Sequence, residues 1–292
     1  MVRLKIRRFD PSKIKPDRII YFIGRRGSGK STLTEDILSH LAPRLDMALA
    51  MSPTEDSLAM FRKHFPEPWL FDGYSEATVE ELVDMQKNLA RQNKQRSLAL
   101  VLDDCMYQRN VLRSNAMRNL HFNGRHLHVC FINAVQYLMD IEPSMRSQVD
   151  YVFALRETIQ SNKMKLWKFF FGIFPNFNDF SKTMDACTKE YSAIVLDCTN
   201  SKNTEIEDCI FWYKASLKVP PFKIGKPVFW KMARRYARSD EEVANARRDV
   251  EVARTKERRQ TATSKHVTVV QRSDERGRTL REDLESGGIV IE

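Results

Sequence analysis

No apolar run in the 292 residues approaches the length that a helix needs to span a bilayer, roughly 20 residues. The first ten, MVRLKIRRFD, lack the apolar core of a secretory signal. None of the five cysteines (Cys105, Cys130, Cys187, Cys198, Cys209) stands in a CxxC pair, and their odd number argues against a closed disulfide framework. His126 and His128 bracket one residue like a metal pair, yet no third ligand follows at useful spacing, which speaks against zinc. No internal repeat is visible. The expectation is a soluble protein in a reducing compartment, with its cysteines reduced and mainly buried.

What is present is a globular composition with an excess of positive charge. Hydrophobic residues make up 42% of the chain, a length that fits one large α/β domain with appendages better than two equal domains. The formal charge of +10 suits a polyanionic partner, and it suits equally a generally basic surface. Residues 231–292 hold 15 Lys and Arg against 12 Asp and Glu, so +7 of the +10 lies before them.

Seven apolar, β-rich runs recur: Ile19 to Ile23, Met47 to Met51, Leu98 to Leu102, Leu127 to Ile132, Tyr151 to Leu155, Ser192 to Leu196 and Cys209 to Tyr213. Helix-period segments separate several of them, as with Val79, Leu82, Val83, Leu89 and Ala90. Strands alternating with helices predict an α/β fold with a mainly parallel central sheet flanked by helices, and a ligand site at the strand C-termini. The first of these strands runs into Gly24-Arg25-Arg26-Gly27-Ser28-Gly29-Lys30-Ser31-Thr32, and a helix-compatible segment follows. Strand, glycine loop, Lys-Ser and helix in that order form the P-loop pattern. The glycines let backbone N–H groups converge on a polyphosphate, Lys30 reaches its β- and γ-phosphates, and the Ser31 hydroxyl ligates Mg²⁺.

The strand Leu98 to Leu102 ends in Asp103-Asp104. Asp103 is assigned to Mg²⁺ and Asp104 to the attacking water as general base, with a helix N-cap or turn as the alternative for Asp104. Gln136, just past the strand that follows, is the candidate sensor of the γ-phosphate, with a simple turn amide as its alternative.

The blocks GRRGSGKST, LVLDDCM, GRHLHVCFINAVQY, EPSMRSQVDYVFALRE and EDCIFWYKA, in this order from Arg18 to Ala215, resemble the genome-packaging ATPases of large nucleocytoplasmic DNA viruses, within the FtsK/HerA superfamily. The resemblance implies a P-loop ATPase of the additional-strand type that uses ATP and Mg²⁺. It implies assembly as a homo-oligomeric ring, a pentamer or hexamer, that threads double-stranded DNA into a capsid. It also implies a capsid or inner-membrane vertex protein as docking partner, and the virion and host cytoplasm as location. The ring chemistry calls for an arginine donated by the neighbouring subunit; Arg125 is the first match and Arg146 the second, and a structural ion pair is the alternative for either.

Three regions follow from these readings: a basic N-terminal arm at 1–17, the ATPase domain at 18–219, and a charged extension at 220–292. The extension opens with the helix-breaking PPFKIGKP, and Met232 to Ala253 within it reads as an exposed helix followed by disorder. Between two of the strands, Lys163, Lys165, Trp167, Lys168 and Phe169-Phe170-Phe171 interleave charge with aromatics; the pattern favours a helix packed by its aromatic face, while its lysines remain candidates for a DNA-facing pore. A nucleotide or nucleoside kinase on the same loop is the competing enzyme, and a nucleotide-gated DNA- or capsid-binding scaffold with negligible hydrolysis is the non-enzymatic reading. The Asp103-Asp104 and Gln136 pattern favours water as phosphoryl acceptor over a kinase substrate, and the undamaged Lys30 and Asp103 argue against a scaffold.

Overall fold

A computed structural model describes residues 4–105, 111–136, 141–199 and 205–236, together with the short strands Val269–Gln271 and Ile289–Ile291. Among the described residues one nine-stranded sheet dominates. Its strands are β1 (Arg7–Arg8), β2 (Ile19–Ile23), β3 (Met47–Met51), β4 (Leu70–Phe71), β5 (Leu98–Asp103), β6 (Val129–Val135), β7 (Tyr151–Ala154), β8 (Ser192–Asp197) and β9 (Ile210–Lys214). They lie in the order β1-β9-β8-β7-β2-β6-β5-β3-β4. The stretch from β7 to β4 is parallel, whereas β8 runs antiparallel to both β7 and β9. The insertion of β6 between β2 and β5 is the mark of the additional-strand P-loop class.

Alternation along β2 shows why helices cover both faces. Ile19, Tyr21 and Ile23 enter one hydrophobic cluster, Ile20 and Phe22 the other. On the first face pack α3 (Glu76–Arg91), α4 (Asn115–Asn123), α6 (Gln160–Phe169) and α7 (Phe177–Cys187), by way of Val79, Leu120, Leu166 and Phe180. The second face takes α1 (Lys30–Leu41), whose Leu33, Ile37, Leu38 and Leu41 recur at helical spacing. Pro43 in the turn that follows keeps α1 from extending. A strand buried on both faces reads as an unbroken apolar run, and this is the form in which β2, β5 and β7 occur in the sequence.

Three segments differ from the sequence expectations. Residues assigned to an N-terminal arm join the fold: Arg7–Arg8 pair with Phe211 and Trp212, Phe9 packs edge-on against Tyr151 and Phe153, and Ile14 is fully buried. At the other end the first compact unit runs to Ala237, so the described residues 220–236 belong with the large sheet rather than with a separate extension. There Ile224 is buried, Phe222 stacks on His64 at 3.9 Å, and α9 (Pro227–Tyr236) seats Phe229 against Trp69. The helix expected over Met232 to Ala253 is thus helical as far as Tyr236, and its remainder lies outside the described residues. Of the second unit, Arg238–Glu292, the two described strands pair in parallel. In the aromatic segment Phe171 is fully buried and clusters with Phe180, and Trp167, Phe169 and Phe170 pack half-buried against the core, but Lys163 does not face outward. It is buried, with its Nζ donating to both Asp185 oxygens at 2.6 and 2.7 Å, while Lys165 and Lys168 are exposed. A buried ammonium requires such a partner.

Truncation after Val219 removes Ile224 and Phe229 from the interior, at about 1.5–3 kcal/mol for each large side chain, and thermal denaturation should show it as a drop of many degrees.

Candidate nucleotide site

The parallel register brings the chemistry to one edge. Ile23 is opposite Val135 on one side and Ala154 on the other, and Asp103 is opposite Ala134, so Gly24, Gln136 and the two aspartates leave their strands at the same height. Gly24 opens the loop by donating its N–H to Val135 O at 3.1 Å. A side chain there would meet Ser28 Oγ at 2.6 Å and Leu155 Cβ at 2.8 Å, so the position demands glycine. Gly27 (φ +76°) and Gly29 (φ +99°) take left-handed conformations that L-residues resist, and Ser28 Oγ ties the turn to Arg25 O at 2.6 Å. Arg25 reaches Thr158 Oγ1 at 3.3 Å, Arg26 is exposed, and Ser31 stands exposed in the first turn of α1 with Thr32 half-buried behind it.

Lys30 is buried and folds over its own loop, donating to Gly24 O at 2.9 Å. Its Nζ is 3.7 Å from Asp104 Oδ1, and the other oxygen of Asp104 accepts from Gln136 Nε2 at 2.9 Å. Lys30, Asp104 and Gln136 come from three different strand ends, and the sequence reading placed all three at one site. Asp104 adopts φ +53°, a left-handed turn that separates its carboxylate from that of Asp103 directly after the strand ends. Oδ1 of Asp104 is buried beside the Lys30 ammonium without a hydrogen bond, so it can still accept one.

Asp103 is buried beneath it, and burial holds its carboxyl above the usual carboxylate range. Oδ2 accepts from Ser57 Oγ at 2.5 Å, and Ser57 accepts in turn from Thr54 Oγ1 at 2.9 Å. Ser57 lies in α2 (Glu55–Phe61) after the neighbouring strand β3, and the sequence offers no motif by which to find it. The Ser31 hydroxyl and the Asp103 carboxylate are hard oxygen donors, and Mg²⁺ binds through one or two carboxylates plus phosphate oxygens and water. The residues present therefore fit Mg²⁺.

Of the two arginines assigned to a neighbouring subunit's site, Arg125 lies at the end of the sheet opposite the P-loop of its own chain. Arg125 precedes β6 and donates to Asp150 Oδ1 at 2.6 Å, while Asp150 Oδ2 takes the N–H of Ile19. This pair lies at the strand N-termini, about 16 Å along β2 from the P-loop edge. Arg146, at the end of α5 (Pro143–Arg146), sits 4.1 Å over the ring of Phe169.

Asp103→Asn should keep the hydrogen bond from Ser57 yet lose much of the Mg²⁺ affinity. A folded-state pKa raised by burial means that the charge opposes folding, increasingly so as pH rises through the carboxylate range. The Asn variant should therefore melt at or above the wild-type temperature at neutral pH, and a clear fall would show that the carboxylate is stabilising instead.

No protein-family model matches the chain. Protein 088R of Invertebrate iridescent virus 3, itself uncharacterised, is 34% identical over 209 residues, which cover 70% of this chain and 80% of that protein. An uncharacterised protein of Acanthamoeba polyphaga mimivirus is 28% identical over 245 residues, covering 80% and 84%. Among solved structures, the genome packaging NTPase B204 of Sulfolobus turreted icosahedral virus 2, in complex with ATP-gammaS, superposes with a TM-score of 0.51 at 18% identity, over 70% of this chain and 100% of that one. At that identity the likeness speaks for the fold. The chain therefore belongs to the family that these proteins of large DNA viruses form, and it carries the P-loop NTPase fold seen in B204.

Proposed function

We propose that the chain is an ATP-driven motor that moves double-stranded viral DNA into a capsid. The observation that carries this reading is the convergence of Lys30, Asp104 and Gln136 on the P-loop edge, in a chain whose relatives belong to large DNA viruses. The loop N–H groups and Lys30 hold the β- and γ-phosphates of ATP. Ser31 and Asp103 hold Mg²⁺, which when bound neutralises charge on the phosphate oxygens. Asp104 accepts the proton of the attacking water, and Gln136, already bonded to Asp104, orients that water and senses the γ-phosphate.

The active species in this reading is a ring of identical subunits, a pentamer or hexamer. The arginine that stabilises the transition state across the boundary is Arg125, at the far end of the sheet from the P-loop of its own subunit, or Arg146. For Arg125 this requires release of Asp150, and the structural ion pair is the competing role. Exposed Lys165 and Lys168 are the candidates for the DNA-facing surface. A capsid or inner-membrane vertex protein is the docking partner, and assembly takes place in the host cytoplasm and the virion.

The test is phosphate release from ATP with and without long duplex DNA, beside sizing with a non-hydrolysable analogue. Stimulation by DNA of any sequence, affinity that falls steeply with salt, and a nucleotide-dependent ring are expected, and Lys30→Ala should abolish turnover with its fold intact. Transfer to a nucleoside or nucleotide in place of water would make the protein a kinase. Ring formation and DNA binding without turnover would make it a scaffold.

A further inference from the structure

An exposed aromatic stands at the P-loop with no part in phosphate chemistry. Tyr191 lies in the turn between α7 and β8, and β8 runs antiparallel to β7 with Ile194 opposite Ala154. The turn therefore emerges at the same sheet edge as the P-loop. A Cβ placed on Gly29 would come within 3.5 Å of the Tyr191 ring and 3.7 Å of its Cβ. The side chain packs beside the loop, yet the residue is 72% exposed. The ring thus offers an open π-face directly beside the loop.

The backbone is strained to present it. Glu190 and Tyr191 both have left-handed φ, +49° and +63°, a conformation that a bulky residue avoids. The turn is closed by the Ser192 N–H to Lys189 O, and Glu190 is held by Lys214 Nζ at 2.9 Å. Two successive left-handed L-residues fix the ring where a relaxed loop would not.

The direction of the nucleotide completes the argument. Asp103, Asp104 and Gln136 stand on the β5–β6 side of β2, so the γ-phosphate end points that way. The α-phosphate, sugar and base must leave the loop away from that end. Tyr191 stands on the other side of β2, beyond β7. We infer that Tyr191 is the platform on which the base of the bound nucleotide stacks, an inference that rests on the nucleotide-binding reading of the P-loop. A π-face discriminates little among bases of similar size, so ATP and GTP bind comparably, while a pyrimidine triphosphate, with less ring to cover, binds more weakly.

Two probes separate this inference from the reading it rests on. Mg-ATP engages both phosphate loop and platform; Mg-tripolyphosphate engages the loop alone. In equilibrium titrations, Tyr191→Ala should weaken ATP about 5- to 150-fold, the range of one aromatic–base stack, and leave tripolyphosphate unchanged. Tyr191→Phe should bind both like the wild type. Tyr191→Gly, which relieves the left-handed strain, should melt no lower than the wild type and still lose ATP affinity, so that the loss cannot be a folding defect. The inference is overturned if ATP affinity in Tyr191→Ala stays within twofold, or if tripolyphosphate weakens in parallel, since the ring then only shapes the loop. A wild type that binds tripolyphosphate and ATP equally well keeps the P-loop reading and discards the platform. One that binds neither discards both.

Discussion

The site works across an inserted strand. With β6 between them, the P-loop strand β2 and the aspartate strand β5 are two strand spacings apart, about 10 Å. Lys30 and Asp104 must meet over that gap, and Gln136, at the end of the strand that fills it, bonds the carboxylate from the middle. Every element that fixes the height of these three strands therefore acts on the chemistry. The register is specified by burial on both faces, because a slip of one residue in β2 would turn Tyr21 and Phe22 into each other's clusters, and one in β5 would carry Asp103 to the opposite face.

The adjacent aspartates differ because the strand ends between them. Asp103 is the last residue of the ladder and stays buried against Ser57; the left-handed turn at Asp104 then swings the second carboxylate toward Lys30. One position of sequence thus separates a carboxylate anchored on Ser57 and desolvated from a partly exposed one held between Lys30 and Gln136. The same chemistry in two different environments is what allows one to hold a metal and the other to handle a proton.

The P-loop was legible because its physical demands fall on residue identity: only glycine fits at Gly24, and only glycine adopts the turn at Gly27 and Gly29 without strain. The central strands were legible because burial on two faces needs unbroken apolar runs. β6 was placed early, over Leu127 to Ile132, since Leu127 belongs to the turn around His128 (φ +53°) and the ladder continues through Asn133, a polar residue that pattern alone would exclude. The strand at Arg7–Arg8 has no apolar signature, as its pairing with β9 creates it. Ile224 and Phe229, in and after a proline-rich break, carry a core role visible only once His64 and Trp69 are set opposite. Ser57 and Tyr191 lie far from any motif in sequence, and the sheet order alone makes them neighbours of Asp103 and Gly29.

The central claim is that Asp104, poised between Lys30 and Gln136, handles the proton of the attacking water. Single-turnover hydrolysis by Asp104→Asn, measured alongside Mg-ATP binding, addresses it most directly. The account predicts near-normal binding with hydrolysis slowed by about 10²- to 10⁴-fold, the usual loss when a general base can no longer accept a proton. Hydrolysis within a few-fold of wild type, or a loss confined to Mg²⁺ binding, would contradict it and transfer the role of base away from Asp104.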